Sequence, residues 1–492
     1  MSATEITPST GRARWVALLV LCAGMLMIIL DQTIVNVAMP AIQGDLGFSS
    51  SGLAWVINAY LIPFGGLLLL AGRLGDLIGR KRMFLVGLAV FTVSSLACGL
   101  STTQAVLITA RFAQGIGGAM ASAVILGMIV TMFPEPNEQA RAIGVFSFVA
   151  AAGGSVSLLA GGVLTQVLSW HWIFFVNLPI GVAAAVLAVR LIPAERGIGL
   201  RAGADVLGAV LITGGLMIGV YTIVSTSDVG WGSAHTIGFG ALAVAMLAGF
   251  VVRQAKASNP LLPLRVLASR VVGGANLIQA LMVTGLFGMF FLGALYLQRV
   301  LHYDALRIGL GFLPVAVAIG ALSLELSAKA AARFGARTVL ITGLTLVVAG
   351  LVVFALAQPD DGYFTHLLPA MALLGVGAGL AFPALMTLAM SQATDADSGL
   401  ASGLVNTTQQ IGGALGLAVL ATLSTSRTNA LLGHGQSSAA ALTGGYHLAF
   451  WVGAGVAAIG TLLAAVLLRP ATADAPREVP VGAEPVYADC QS

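Results

Sequence analysis

The sequence predicts an all-α membrane protein that crosses the bilayer fourteen times. Three observations predict it. Of 492 residues, 58% are hydrophobic, only 9% are charged, and apolar runs of about 20 residues, the length that crosses a bilayer, recur from residue 15 to residue 468. A soluble domain usually carries about 25% charged residues, so this composition cannot cover a water-facing surface. The net charge of +4 is scattered through short loops, which argues against a nucleic-acid partner. Cys22 and Cys98 lie in apolar segments and Cys490 near the chain end, a spacing that builds neither a disulfide framework nor a metal site.

The elements follow in order. Residues 1–14 form an N-terminal cytoplasmic segment. The first span, 15–39, follows Arg12 and Arg14 and runs on through Asp31 without a small-residue cleavage site, so it reads as an uncleaved helix rather than a secretory signal. Spans two to six are expected at 52–71, 83–100, 104–131, 142–168 and 172–192. Two further spans, 204–225 and 236–252, sit between the loops 193–203 and 253–270. The last six are expected at 271–297, 307–326, 338–357, 366–390, 400–425 and 446–468. The Pro/Glu/Ala-rich tail 470–492 is expected to be disordered and cytoplasmic. The chain thus divides into a six-helix half (15–192), a two-span linker (193–270) and a second six-helix half (271–469).

Charge orients this arrangement. With both ends inside, 19 of the 23 Lys and Arg residues fall in cytoplasmic segments, and only Arg299, Arg307 and Arg427 fall outside. Trp15, Trp55, Trp170, Trp172 and Trp451 stand at span ends, as interfacial anchors do. The expected location is the inner cell membrane.

The loop after the second span reads Gly72-Arg-Leu-Gly-Asp76-Leu-Ile-Gly79-Arg80-Lys-Arg. A weaker copy, Ala328-Lys-Ala-Ala-Ala-Arg-Phe-Gly335-Ala-Arg337, follows the tenth span. Each places a glycine followed within two residues by a basic side chain at the same offset. Repeated halves of this kind put a binding site at their interface near the bilayer midplane.

The first copy resembles the loop signature of the major facilitator superfamily. Leu30-Asp31-Gln32-Thr33-Ile34-Val35-Asn36-Val37-Ala38-Met39-Pro40 is similar to the first-span signature of its fourteen-span drug:proton antiporter family. The runs Arg111–Ala119, Trp170–Pro179 and Gly399–Gln410 resemble further segments of these proteins. The chain departs from the pattern at Leu77, where the signature has Arg, and at Ala332, where the second copy lacks its acid. It departs again in the fifth-span motif, whose usual Gly-Pro is replaced by Gly153-Gly154-Ser155-Val156-Ser157 and continues to Gly161 and Gly162. The resemblance implies the major facilitator fold, two six-helix halves plus two extra central helices. It implies a proton-coupled exporter of lipophilic or cationic drugs that uses no cofactor beyond the proton gradient. A dedicated exporter of one endogenous metabolite or antibiotic is the alternative, and an uptake transporter a more distant one. The resemblance also makes the loop of Gly72, Asp76, Gly79 and Arg80 a cytoplasmic gate latching the two halves.

Ionisable side chains inside spans are costly and therefore functional candidates. Three stand out: Asp31, Arg111 and, nearer an inner end, Glu325. At 1.5 Å per residue Asp31 lies roughly 24 Å from the inner face, and Arg111 roughly 10 Å below the outer face, so both fall at similar depth. Burial and a nearby guanidinium pull a carboxyl's proton affinity in opposite directions, the balance a proton carrier needs. The three are therefore expected to couple proton entry to export. Substrate-cavity candidates are the polar residues of otherwise apolar spans: Gln32, Thr33, Asn36, Asn58, Gln114, Asn276, Gln279, Asn406, Gln409 and Gln410. A mostly apolar cavity with few polar groups suits lipophilic ligands. Expected partners are that ligand, protons and the bilayer, with a periplasmic adaptor left open. The glycine clusters lack the strand and phosphate-binding Lys of a nucleotide loop. No long loop gathers acidic or His clusters, so an enzyme is not expected, and a sensor would need an output domain that is absent from the reading.

Overall fold

The computed structural model describes residues 11–49, 51–193, 197, 199, 203–257, 260–262, 269–358, 362–390 and 398–468. Every regular element among them is helical. In chain order these are α1 (Gly11–Leu46), α2 (Trp55–Ile78), α3 (Arg80–Gly99), α4 (Gln104–Met132), α5 (Pro136–Val167), α6 (Asn177–Leu191), α7 (Val206–Val229) and α8 (Ala234–Lys256). They continue as α9 (Arg270–Arg299), α10 (Ala305–Ala321), α11 (Ala336–Ala355), α12 (Leu368–Met390), α13 (Ser398–Gly433) and α14 (Ser438–Leu467). Among the described residues, eleven helices are long and apolar enough to cross a membrane. The segments expected at 142–168, 307–326 and 400–425 are helical too, yet fall outside that set. Among the described residues Ala305–Ala321 and Val156–Val167 are shorter apolar helical stretches, and α13 is polar over Asn406–Gln410. The expected tail 470–492 lies outside the described residues.

Several helices outrun their expected spans. α1 continues through Pro40 to Leu46 and α13 to Gly433. Hydropathy marks where a helix leaves the apolar layer, whereas backbone hydrogen bonding carries the helix on into polar sequence.

Helices α1–α6 pack among themselves, as do α9–α14. The loop echo has a structural counterpart. Gly79 (φ 102°) joins α2 to α3, and Gly335 (φ 83°) precedes α11. Both occupy the positive-φ region that favours glycine. At the same spacing beyond each lies a backbone-on-backbone crossing. A Cβ on Gly87 would sit 2.5 Å from the Ala121 nitrogen, and one on Gly117 would sit 2.5 Å from that of Phe91. In the other half, Gly343 faces the Ala381 nitrogen at 2.9 Å and Gly377 that of Val347 at 2.7 Å. Small residues let helices approach this closely in a bilayer.

The groups meet along two seams, α5 on α10 and α2 on α13. At the first, a Cβ on Gly162 would lie 3.0 Å from the Ala305 carbonyl, and one on Gly309 would lie 2.6 Å from that of Leu158. At the second, Gly65 abuts Gln410 and Gly403 abuts Leu69. Arg299, at the end of α9, donates to Gln43 near the end of α1. Helix α7 packs on both α2 and α13: a Cβ on Gly66 would come within 2.5 Å of Thr213 Oγ1, and Thr422 donates to the Ile223 carbonyl at 3.3 Å. Helix α8 packs chiefly on α7.

Candidate functional site

Asp31 stands mid-way along α1, where one carboxylate interrupts the apolar run Trp15–Leu30, and it is fully buried (0% exposed). Three donors from two other helices converge on it. Arg111 Nη1 on α4 lies 2.5 Å from Oδ2. Gln114 Nε2, one turn further along α4, donates to Oδ1 at 2.8 Å, and Asn177 Nδ2, at the start of α6, donates to the same oxygen at 3.0 Å. The spacing of Arg111 and Gln114 puts both on one face of α4. Gly115 and Gly118 bring that helix against Tyr60 of α2: a Cβ on Gly115 would lie 2.4 Å from the Tyr60 carbonyl oxygen.

Arg111 is held by more than its counter-ion. Its Nε donates to the Val56 carbonyl at 2.9 Å and its Nη1 to Gln114 Oε1 at 2.7 Å. Its guanidinium sits 4.4 Å from the centre of the Tyr60 ring and 5.8 Å from that of Phe174. Ser95 Oγ on α3 accepts from Gln114 Nε2 at 2.7 Å and from Asn177 Nδ2 at 3.3 Å. Cys98 Sγ lies 3.7 Å from Gln114 Oε1. Taking two charges out of water is offset only where geometry and extra hydrogen bonds are this complete, and neutral partners around the guanidinium let it keep its place if the carboxylate is neutralised. Chemically, the cluster can exchange a proton on one carboxyl while a fixed positive charge stays beside it.

The structure thus brings Asp31, Arg111 and Gln114 together by direct contact. Asn177, Ser95 and Tyr60 complete the site without having been singled out by sequence. Asn177 lies within the Trp170–Pro179 run, the one signal that pointed to it. The Glu325 side chain lies outside the described residues.

The expected substrate-cavity residues are held by different partners. Thr33 and Asn36 hydrogen-bond to carbonyls of their own helix, Asn276 does the same to Val272, and Gln114 is engaged by the ion pair. In the second half, Gln279 Nε2 meets the Val405 carbonyl at 3.3 Å and Gln409 Oε1 at 3.5 Å, and Gln410 packs on Gly65 across the seam. Asn58 is buried in α2, Gln32 is half-buried and Asn406 exposed. A cavity of about 210 Å³ opens elsewhere, between the C-terminal parts of α1, α5 and α9 and the N-terminal end of α10, lined by Val37, Pro40, Thr165, Gln166, Gln298 and Asp304 among others. None of the ten expected residues lines it. Several of the ten satisfy themselves on a carbonyl of their own helix, whereas among the described residues both amide atoms of the buried Asn58 and the Gln410 Oε1 have no hydrogen-bond partner.

In the expected gate loop, Asp76 Oδ1 accepts from Arg80 at 3.1 Å, and Arg80 also donates to the Gly127 carbonyl and Thr131. Gly72 lies over Ala123. These contacts stay within the first half, and residues 391–397, just before the start of α13, lie outside those described. Leu77, the departure from the signature, is buried, and its carbonyl accepts from the Gly199 N–H at 3.1 Å. In the fifth-span motif, Gly153 faces Leu26 and Gly161 faces Ile34, both on α1, whereas Gly154 borders open space. Ser157 turns back on the Gly153 carbonyl at 2.6 Å.

A second polar centre closes the N-terminal end of α7. Asp205 caps that helix by accepting from the Gly208 N–H at 2.9 Å, and it also accepts from Arg253 (3.0 Å) and Gln254 (2.8 Å) of α8. Burial alone would push its carboxyl up, but these three donors and the Arg253 charge hold it below the usual carboxylate range.

Comparison with known proteins follows the same lines. The sequence pattern described as Major Facilitator Superfamily matches residues 21–417. The puromycin resistance protein pur8 of Streptomyces alboniger is 39% identical over 465 residues, covering 93% of this chain and 92% of that protein. The cephamycin export protein CmcT of Amycolatopsis lactamdurans is 37% identical over 484 residues, covering 98% and 97%. Among solved structures, the POT family transporter PepTSo superposes with a TM-score of 0.68 at 16% identity, covering 92% of this chain and 97% of that one, which speaks to the fold alone.

Proposed function

The chain belongs to the major facilitator superfamily, and from that premise we propose that it exports lipophilic or cationic drugs or antibiotics in exchange for protons. It is a transporter embedded in a membrane, and its relatives are antibiotic exporters and resistance proteins. The proposal adds fourteen spans with both ends cytoplasmic, the inner membrane as location, alternating access and proton coupling. The gradient is the energy source, and the partners are a lipophilic small molecule, protons and lipid.

One observation carries the coupling reading: a fully buried carboxylate paired with a fully buried guanidinium across α1 and α4. In this reading the outward-facing protein takes a proton onto Asp31, and Arg111 stays in place on Val56, Gln114, Tyr60 and Phe174. The proton leaves toward the cytoplasm, and the restored charge favours the next cationic substrate. Because α1 also packs on Gly153 and Gly161 of α5, a helix of the α5–α10 seam, a change at Asp31 has a direct path to that seam.

The test is efflux of ethidium from proteoliposomes under an imposed pH gradient. Wild type drives it, whereas Asp31→Asn leaves only gradient-independent leakage. Gradient-driven efflux by Asp31→Asn sinks the coupling. A second reading, a dedicated exporter of one antibiotic, is favoured by relatives named for single compounds. Expression in a pump-deficient host separates the two, since resistance to a single compound selects the dedicated exporter.

A further inference from the structure

Every hydrogen bond made to Asp31 in this structure is one that its carboxylate accepts, and none offers an acceptor to the O–H of a protonated acid. Oδ1 receives two N–H donors, from Gln114 and Asn177, and Oδ2 receives Arg111. A carboxylic acid must also donate, so its O–H needs an acceptor within reach. Arg111 has none to offer. The Gln114 carbonyl already accepts from Arg111 and faces the Cys98 thiol, so turning that amide over would break the hold on the guanidinium. Ser95 Oγ accepts from both amides.

Asn177 differs. It is fully buried, its Nδ2 contacts both Asp31 and Ser95, and among the described residues its Oδ1 has no hydrogen-bond partner. Native proteins rarely leave a buried side-chain acceptor unmatched, and such exceptions call for an explanation. Inverting this amide about its last side-chain bond exchanges a matched end for an unmatched one. It presents a carbonyl to Asp31 and lets the Ser95 hydroxyl donate to it.

We infer that Asn177 is the hydrogen-bond switch of the Asp31 site, donating its amide to the charged carboxylate and turning over to accept the O–H of the protonated acid. This rests on the proposed titration of Asp31 and goes beyond it by assigning a positioning residue. The other charged or titratable groups facing the cluster are Arg111 from α4, Tyr60 from α2 and Cys98 from α3. None of them can contribute a carboxyl signal.

Infrared difference spectroscopy of the full chain in liposomes, stepped between alkaline and acid buffer, reads both groups. Asparagine labelled with carbon-13 in its side-chain amide identifies the partner without mutation. The expected wild-type spectrum pairs a protonated-carboxyl band, absent from Asp31→Asn, with a shift in the labelled amide carbonyl. In Asn177→Leu the amide shift disappears and the carboxyl band moves to the frequency of an O–H without an acceptor. Gradient-driven ethidium efflux in that variant falls about tenfold, the value of one lost hydrogen bond. A carboxyl band unaccompanied by any asparagine shift, or unchanged in Asn177→Leu, overturns the switch while leaving the coupling intact. The absence of any Asp31-dependent carboxyl band overturns both.

Discussion

Arg111 concentrates the energetics of the site on one side chain, because each of its contacts uses a different property of guanidinium. A planar fork reaches Val56 and Gln114 at once, a positive charge meets Asp31, and a flat face lies over Tyr60. Lysine supplies only the charge. Arg111→Lys is therefore expected to lower efflux at least tenfold and to reduce the detergent melting temperature. Arg111→Ala, which strands the carboxylate, should cost about 3–5 kcal/mol of stability in the same assay. Asp31, Arg111 and Gln114 were legible in the sequence because a charge or amide inside an apolar run is conspicuous. Asn177, Ser95 and Tyr60 were not. They are neutral, sit in ordinary helical sequence, and acquire meaning only when α2, α3 and α6 close around the carboxylate. For the scattered polar residues the sequence could not show local bonding: Thr33, Asn36 and Asn276 each bond to a carbonyl of their own helix.

At the scale of helices, glycine decides how near neighbours come, and the cost of replacing one depends on what lies opposite. A Cβ on Gly117 meets the Phe91 backbone, which has nowhere to go, whereas Gly154 borders open space. Gly117→Ala should destabilise by about 1–3 kcal/mol. Gly154→Ala should be neutral or stabilise by up to about 1 kcal/mol, and thermal unfolding in detergent separates the two. The Asp205 cap adds a pH signature. Its carboxyl is held below the usual range in the folded chain, so its stabilisation is present above the unfolded-state value and lost as pH falls through the folded-state value. Asp205→Ala should thus cost about 0.5–2 kcal/mol near neutral pH and progressively less on acidification, in melts recorded across a pH series. The sequence echo between the halves showed only the two loops. The paired crossings at Gly87/Gly117 and Gly343/Gly377 stayed hidden, because glycine is so abundant here (62 residues) that no single one stands out.

At the scale of the whole molecule, the charge bias of the loops predicts orientation, and accessibility can check it. Cys22 and Cys98 are buried, so a Cys490→Ser background is quiet toward impermeant maleimides. Added to intact cells, such a reagent should label Gln436→Cys and spare Ala332→Cys, both exposed positions, and the reverse result refutes the proposed topology. The bundle has a further asymmetry. At one seam α7 rests on both α2 and α13, whereas among the described residues neither α7 nor α8 packs substantially on α5 or α10 at the other. A greasy compound drifting within the leaflet therefore meets a fence on the first side and an open doorway on the second. A photoactivatable lipid-soluble probe should tag α5 and α10 well before α2 and α13.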